Sequence, residues 1–265
     1  MCGRAPPRSS CRAAGADLPT DIVVLFLAGV GTALATGLGA IPVFALGERA
    51  TALRPALWGL AGGLMGVASV VGLLRPALQE GSTGAVVGGL LAGVAFLTAT
   101  RVTLAGRDVH VGVLHGSGVR TSMLVVAVLF VHSIPEGFAM GTAYASERQG
   151  LGLFVILAIA LQNVPEGTTS AIPMHDAGFS RWQQFWAAVL TSAPQPVGAI
   201  AAYLLVEQID GLLPISFAFA AGAMLSLVAV EIVPKAFTRA TWRDATAGAV
   251  VGAALMLGLS AVLGV

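Results

Sequence analysis

The stretch His132-Ser133-Ile134-Pro135-Glu136-Gly137 returns thirty residues later as Gln162-Asn163-Val164-Pro165-Glu166-Gly167. Each copy sits inside an apolar segment, and each sets a ligand-type side chain four residues before a glutamate. On a helix those two positions share one face, one turn apart. A carboxylate at membrane depth costs roughly 2.5–3.5 kcal/mol on insertion scales. A chain that accepts this cost twice, at matched positions, is expected to use both groups. A divalent cation between Glu136 and Glu166 would cancel their charge.

The surrounding composition sets the class. Of 265 residues, 56% are hydrophobic and 10% are charged, whereas a soluble domain carries about 25% charged residues. The expected fold is an all-α polytopic membrane protein, and the 34 glycines suit helices packed closely in lipid. About 20 apolar residues span a bilayer. Eight segments qualify, at about 21–43, 56–74, 84–100, 121–144, 151–174, 184–206, 214–233 and 245–264. Residues 1–20 read as a disordered N-terminal tail, and residues 21–265 as a single eight-helix transmembrane transporter domain. The tail resembles the start of a secretory signal. The apolar run behind it is too long for a signal core, so a retained first helix is favoured over cleavage.

Charge sets the partners and the orientation. The net charge is +1 and basic residues do not cluster, which argues against a nucleic-acid partner. The two cysteines, Cys2 and Cys11, lie in the tail without CxxC spacing, and neither a disulfide nor a metal is assigned to them. The odd-numbered interhelical loops hold Arg49, Arg54, Arg101, Arg107, Arg120, Arg181, Lys235, Arg239 and Arg243. The even loops hold Arg75 and Arg148, and the tail adds Arg4, Arg8 and Arg12. Nine against five places the odd loops in the cytoplasm and both termini outside. The expected location is the cell (inner) membrane, with multiple passes.

A weaker internal repeat accompanies the motif pair. Gly63-Leu64-Met65 precedes Pro76, and Gly222-Ala223-Met224 precedes Pro234, with the match slipping by one residue. Segments one to three and six to eight would be repeats around segments four and five, a pattern common in secondary transporters.

Together the motifs offer an imidazole nitrogen from His132, an amide oxygen from Gln162 and the carboxylates of Glu136 and Glu166. This set suits Zn²⁺ and also Fe²⁺, Mn²⁺ or Cd²⁺. With no thiolate, binding should be reversible. Pro135 and Pro165 free the carbonyls of Val131 and Leu161. Gly137 and Gly141 form a GxxxG face that lets another helix approach.

Other residues carry competing readings. His110 and His115, in the Gly-rich third loop, read first as solvated loop residues and second as a cytoplasmic metal pickup. His175 and Asp176 would line an inner exit or be plain end-of-helix residues. Glu231, before Pro234, is either a gate carboxylate or an interfacial anchor. Met65 is either core filler or an extra ligand.

These residues resemble the ZIP (Zrt/Irt-like) family of divalent-metal transporters, most closely its bacterial GufA-type branch. The resemblance runs over all eight segments. It includes Thr36-Gly37-Leu38-Gly39-Ala40-Ile41-Pro42, Ala61-Gly62-Gly63-Leu64-Met65, the two Pro-Glu-Gly motifs, Ala177-Gly178-Phe179-Ser180, and Ala220 through Pro234. It implies eight helices in a 3+2+3 arrangement with inverted repeats, and metal movement toward the cytoplasm as a transport bundle slides against a scaffold. It puts His132, Glu136, Gln162 and Glu166 at the main metal site, with Met65 as a plausible addition. A second site would fall on Ser133, Asn163 and Gln195. Here it departs from the family: the family often has Asn at 133 and Glu at 195, so the second site lacks its own carboxylate.

The expected function is transport of a divalent metal, zinc first, as substrate and not as a catalytic cofactor. The expected partners are the metal ion and the lipid bilayer, with a homodimer as the assembly considered. A proton-coupled small-solute carrier is the first alternative. An intramembrane metalloenzyme is the second, disfavoured because no H-E-x-x-H pair occurs.

Overall fold

A computed structural model describes residues 18–105, 117–146 and 148–265 of the chain. The expected tail therefore lies almost wholly outside the described residues, as do His110 and His115. Among the described residues the fold is all-helical, with eight helices long and apolar enough to cross a membrane. They are α1 (Leu18–Leu46), α2 (Ala50–Glu80), α3 (Thr83–Thr103), α4 (Val126–Ala145), α5 (Leu151–Asp176), α6 (Arg181–Gln208), α7 (Leu212–Ala236) and α8 (Trp242–Leu263). Every expected segment overlaps one of them.

The boundaries differ where local chemistry extends a helix. α1 starts at Leu18, three residues before the expected start. Pro19 is pre-organised for a first turn, and Asp21 suits the positive end of the helix dipole. α2 runs on to Glu80 because Pro76 falls in the first turn of its last section, Arg75–Glu80, where a missing N–H costs little. α6 begins at Arg181, fixed by a capping box: Ser180 Oγ accepts from the Gln183 N–H at 3.3 Å, and Gln183 Oε1 accepts from the Ser180 N–H at 2.9 Å.

The long helices pair in a pattern that maps onto itself. α2 lies along α8 and α3 along α7; α4 lies along α6 and α1 along α5. Exchanging α1–α3 with α6–α8, and α4 with α5, returns the same set of pairs. The residues obey the exchange. Gly63 rests on the Ala249 backbone, and Gly222, 159 positions later, rests on the Leu90 backbone. Gly39 meets Val164, Gly167 and Thr168; Gly198, again 159 later, meets Ile134, Gly137 and Phe138, each 30 before its counterpart. The repeat is thus an inverted one, since α1 and α6 cross in opposite senses. The one-residue slip noted between Met and Pro falls inside widened π-helical turns, Ala68–Leu74 in α2 and Val228–Ile232 in α7.

Glycine contacts divide the helices into two groups. Backbone rests on backbone within α2/α8 at Gly59, Gly63, Gly248 and Gly252, and within α3/α7 at Gly89 and Gly93. The same holds within α4/α6 at Gly137 and Gly141, within α1/α5 at Gly39 and Gly167, and within α1/α6 where Gly29 meets Pro196. Such close approach strengthens packing in lipid. Between {α1, α4, α5, α6} and {α2, α3, α7, α8} ring contacts join the packing: Phe138 lies edge-on against Phe219 and the Phe154 ring against Gly72, while Gly150 rests on the Leu263 backbone.

Candidate metal centre

α4 and α5 run unbroken through Pro135 and Pro165, so both motifs keep their i, i+4 spacing. His132, Glu136, Gln162 and Glu166 are all buried, and the helices meet with these faces together: Gln162 Nε2 donates to Glu136 Oε1 at 2.7 Å. Gly137 explains why α6 comes so near. A side chain there would strike the Gln195 backbone, so only glycine lets α6 approach Glu136. Gly167 plays the same part for α1, against the Thr36 backbone beside Glu166.

The two glutamates are not equivalent. Both oxygens of Glu136 accept amide protons, Oε1 from Gln162 and Oε2 from Gln195 Nε2 at 2.7 Å. Glu166 Oε1 is buried with no hydrogen-bond partner. Gln162 Oε1 and both ring nitrogens of His132 are likewise buried and unpartnered. Leaving such an atom unsatisfied costs about 1–3 kcal/mol. Three of the residues concerned, His132 on α4 and Gln162 and Glu166 on the adjoining α5, each offer a lone pair: one imidazole nitrogen, an amide oxygen and a carboxylate oxygen. Among the described residues no three His, Cys, Asp or Glu side chains are gathered tightly enough to form a metal cage by themselves. Any complete cage in this arrangement therefore needs the Gln162 amide or a side-chain rotation.

The second set of expected residues is in place but differently occupied. Gln195 adjoins Glu136, and Asn163 Nδ2 lies 3.1 Å from Gln195 Oε1. Ser133 Oγ lies 3.2 Å from the Leu129 carbonyl of its own helix and within reach of the Glu136 carboxylate. Met65 is buried in the apolar core with Leu64 and Ala68. Glu231 holds Arg101 Nε at 3.0 Å and Lys235 Nζ at 2.6 Å, and Lys235 also lies over the Trp58 ring. His175 is half-buried at the end of α5 beside Gly47, and Asp176 is exposed.

A family model described as ZIP Zinc transporter matches residues 102–260. Zinc transporter GufA of Myxococcus xanthus is 33% identical over 258 residues, covering 92% of this chain and 98% of the relative. The chain belongs to the ZIP family. Another ZIP relative, zinc transporter ZIPB of Bordetella bronchiseptica, is 32% identical, covering 90% of this chain and 81% of its own. Zinc transporter ZIP11 of Homo sapiens is 32% identical over 56% of this chain and 45% of its own length. The chain also matches a longer Arabidopsis thaliana protein at 33% identity over 230 residues, spanning 37% of that protein's length. ZIP membership makes the chain a multi-pass membrane transporter and not an enzyme.

Four residues escaped the sequence reading. Thr32 of α1 joins the polar cluster, with Oγ1 2.6 Å from Gln195 Oε1. Its repeat mate Thr191 shows the signal that was available: each hydroxyl lies within hydrogen-bond distance of the carbonyl three residues back, Gly29 at 2.9 Å and Ala188 at 2.6 Å. At the other end of the same helices, Tyr144 and Tyr203 hydroxyls donate to the Asp21 carboxylate at 2.8 and 2.7 Å. Nothing local in the sequence links those three residues.

Proposed function

We propose that this protein carries zinc or a similar divalent cation across the membrane toward the cytoplasm, through a centre formed by His132, Glu136, Gln162 and Glu166. One observation carries this reading: His132, Gln162 and Glu166 present unpartnered buried donor atoms on the two helices that bring the buried carboxylates of Glu136 and Glu166 together. A mixed nitrogen and oxygen donor set without thiolate suits reversible zinc binding. ZIPB and GufA, each named a zinc transporter, support zinc as the first substrate to test.

Ligation requires Gln162 to turn its oxygen toward the ion while Glu136 exchanges an amide proton for the cation. The nine basic residues of the odd loops support a cytoplasmic face at the inner ends of α1, α3, α5 and α7. His175 and Asp176, at the end of α5, then lie on the exit side. Glu231, held by two cations, ties α3 to α7 there.

The test is zinc flux into liposomes holding purified protein. Glu136→Gln and Glu166→Gln should each lower uptake by more than about 100-fold, beyond the usual effect of an outer-shell loss. Full uptake by either variant at equal protein density would sink the assignment.

A further inference from the structure

The polar cluster beside Glu136 has a fixed sense, and that sense can be read from a backbone group. Asn163 Nδ2 lies 2.8 Å from the Thr32 carbonyl oxygen. A main-chain carbonyl can only accept, so the Asn163 nitrogen must face it. The second proton on that nitrogen then points at Gln195, at 3.1 Å, which requires the Gln195 oxygen on that side. The Thr32 hydroxyl lies 2.6 Å from the same oxygen and 2.9 Å from the Gly29 carbonyl; two oxygens as close as the first pair need a proton between them, so its single proton goes to Gln195. Gln195 Nε2 is thereby left to donate to Glu136 Oε2 at 2.7 Å, with a longer contact of 3.4 Å to Asn163 Oδ1. The order runs α1, α5, α6, α4, and every member is buried. On the repeat-related side, the mate of Gln195 is Thr36, whose hydroxyl pairs with Ser192 at 2.6 Å, and Glu166 Oε1 receives no amide.

We propose that Thr32 and Asn163 are positioning residues that lock the Gln195 amide with its nitrogen toward Glu136, so that a hydrogen-bond donor fills the place where a second cation would be ligated. The centre is thereby held to one divalent ion. This rests on the reading of Glu136 and Glu166 as metal ligands. Charge favours the same result: two carboxylates balance one divalent cation, and a second would repel the first at short range. The amide sense adds a steric and polar block, because the side of Gln195 facing the centre carries protons and no lone pair. If the Gln195 oxygen loses its donors, the amide can rotate and present a lone pair instead.

The experiment is calorimetric titration of the purified full chain with zinc alone. Wild type and Thr32→Ser, which keeps the hydroxyl, should each take up one ion per chain. Thr32→Val should keep that ion and gain a second, weaker one. Asn163→Ser, which copies the residue at repeat-related position 133, should do the same and serves if Thr32→Val fails to fold. Gln195→Glu, which replaces the donor by an acceptor, should gain a second ion whether or not Thr32 matters. If Thr32→Val and Asn163→Ser both titrate as wild type while Gln195→Glu gains an ion, the locking role is wrong and the metal centre stands. Two tight ions in wild type would also overturn the lock. No zinc bound by any form would overturn the lock together with the function it rests on.

Discussion

Two glycines two positions apart on α1 should respond in opposite ways to the same added methyl. At Gly29 a new Cβ would lie 2.6 Å from Pro196 Cα and 2.8 Å from Pro196 N. Carbon atoms pack at about 3.5–4.0 Å, so α1 must move from α6 by roughly 1 Å. That displacement stretches the 2.6 Å contact between Thr32 and Gln195 to about 3.6 Å, outside hydrogen-bond range. Overpacking costs about 1–3 kcal/mol and the lost bond about 0.5–1.5, against a gain of about 1 for alanine over glycine in a helix. Gly29→Ala should therefore lose about 0.5–3.5 kcal/mol. At Gly31 the added atom meets nothing within 4 Å. Gly31→Ala should keep the full gain of up to about 1 kcal/mol. Thermal unfolding of the purified protein, with zinc flux in liposomes as the second readout, separates the two. If Gly29→Ala melts with Gly31→Ala and transports at the wild-type rate, the close α1–α6 contact does not organise the centre.

Three further outcomes are expected. Acidifying the medium should weaken apparent zinc affinity, because protons compete for the same lone pairs, and His132→Gln should flatten the part of that response due to imidazole; equal acid sensitivity in both forms would remove His132 from the ligand set. Tyr203→Phe deletes a hydroxyl that donates to a carboxylate at 2.7 Å and should cost about 1.5–3 kcal/mol in thermal unfolding, and an unchanged melt would show that the Asp21 cluster bears no stability. Zinc at a hundredfold excess over its dissociation constant should stabilise the wild type by about 2.7 kcal/mol, with chelator reversing the shift and Glu166→Gln showing little of it; equal shifts in both would place the stabilising ion elsewhere.

The sequence carried most of the frame because lipid restricts the choices. A bilayer accepts helices of about 20 residues, so apolar length alone located all eight spans to within a few residues at most ends. The motif pair was legible for a related reason: carboxylates are so costly at that depth that two in register stand out. Glycine contact was half legible. Gly137 and Gly141 pointed to a close partner, but nothing local named α6 as that partner. Thr32 and Asp21 were not legible, since a threonine bonding back to its own helix and an aspartate in a first turn each have an ordinary local explanation. Their roles come from residues more than a hundred positions away, Gln195 for Thr32 and Tyr144 and Tyr203 for Asp21. The amide sense of Gln195 was likewise hidden, because it is dictated by a main-chain carbonyl on another helix.

The exchange of α1–α3 with α6–α8 has a consequence for vectorial movement. A frame that maps onto itself when turned over is blind to inside and outside, so it cannot by itself make passage in one direction differ from passage in the other. Polarity resides in the positions that break the exchange. His132 faces Gln162 as its mate, Ser133 faces Asn163, and Thr36 faces Gln195. At the ends, Asp21 gathers two tyrosines, whereas its mate Ser180 merely caps a helix. These mismatched pairs are part of the compass of the molecule, and swapping His132 with Gln162 alters that compass while leaving the symmetric frame untouched.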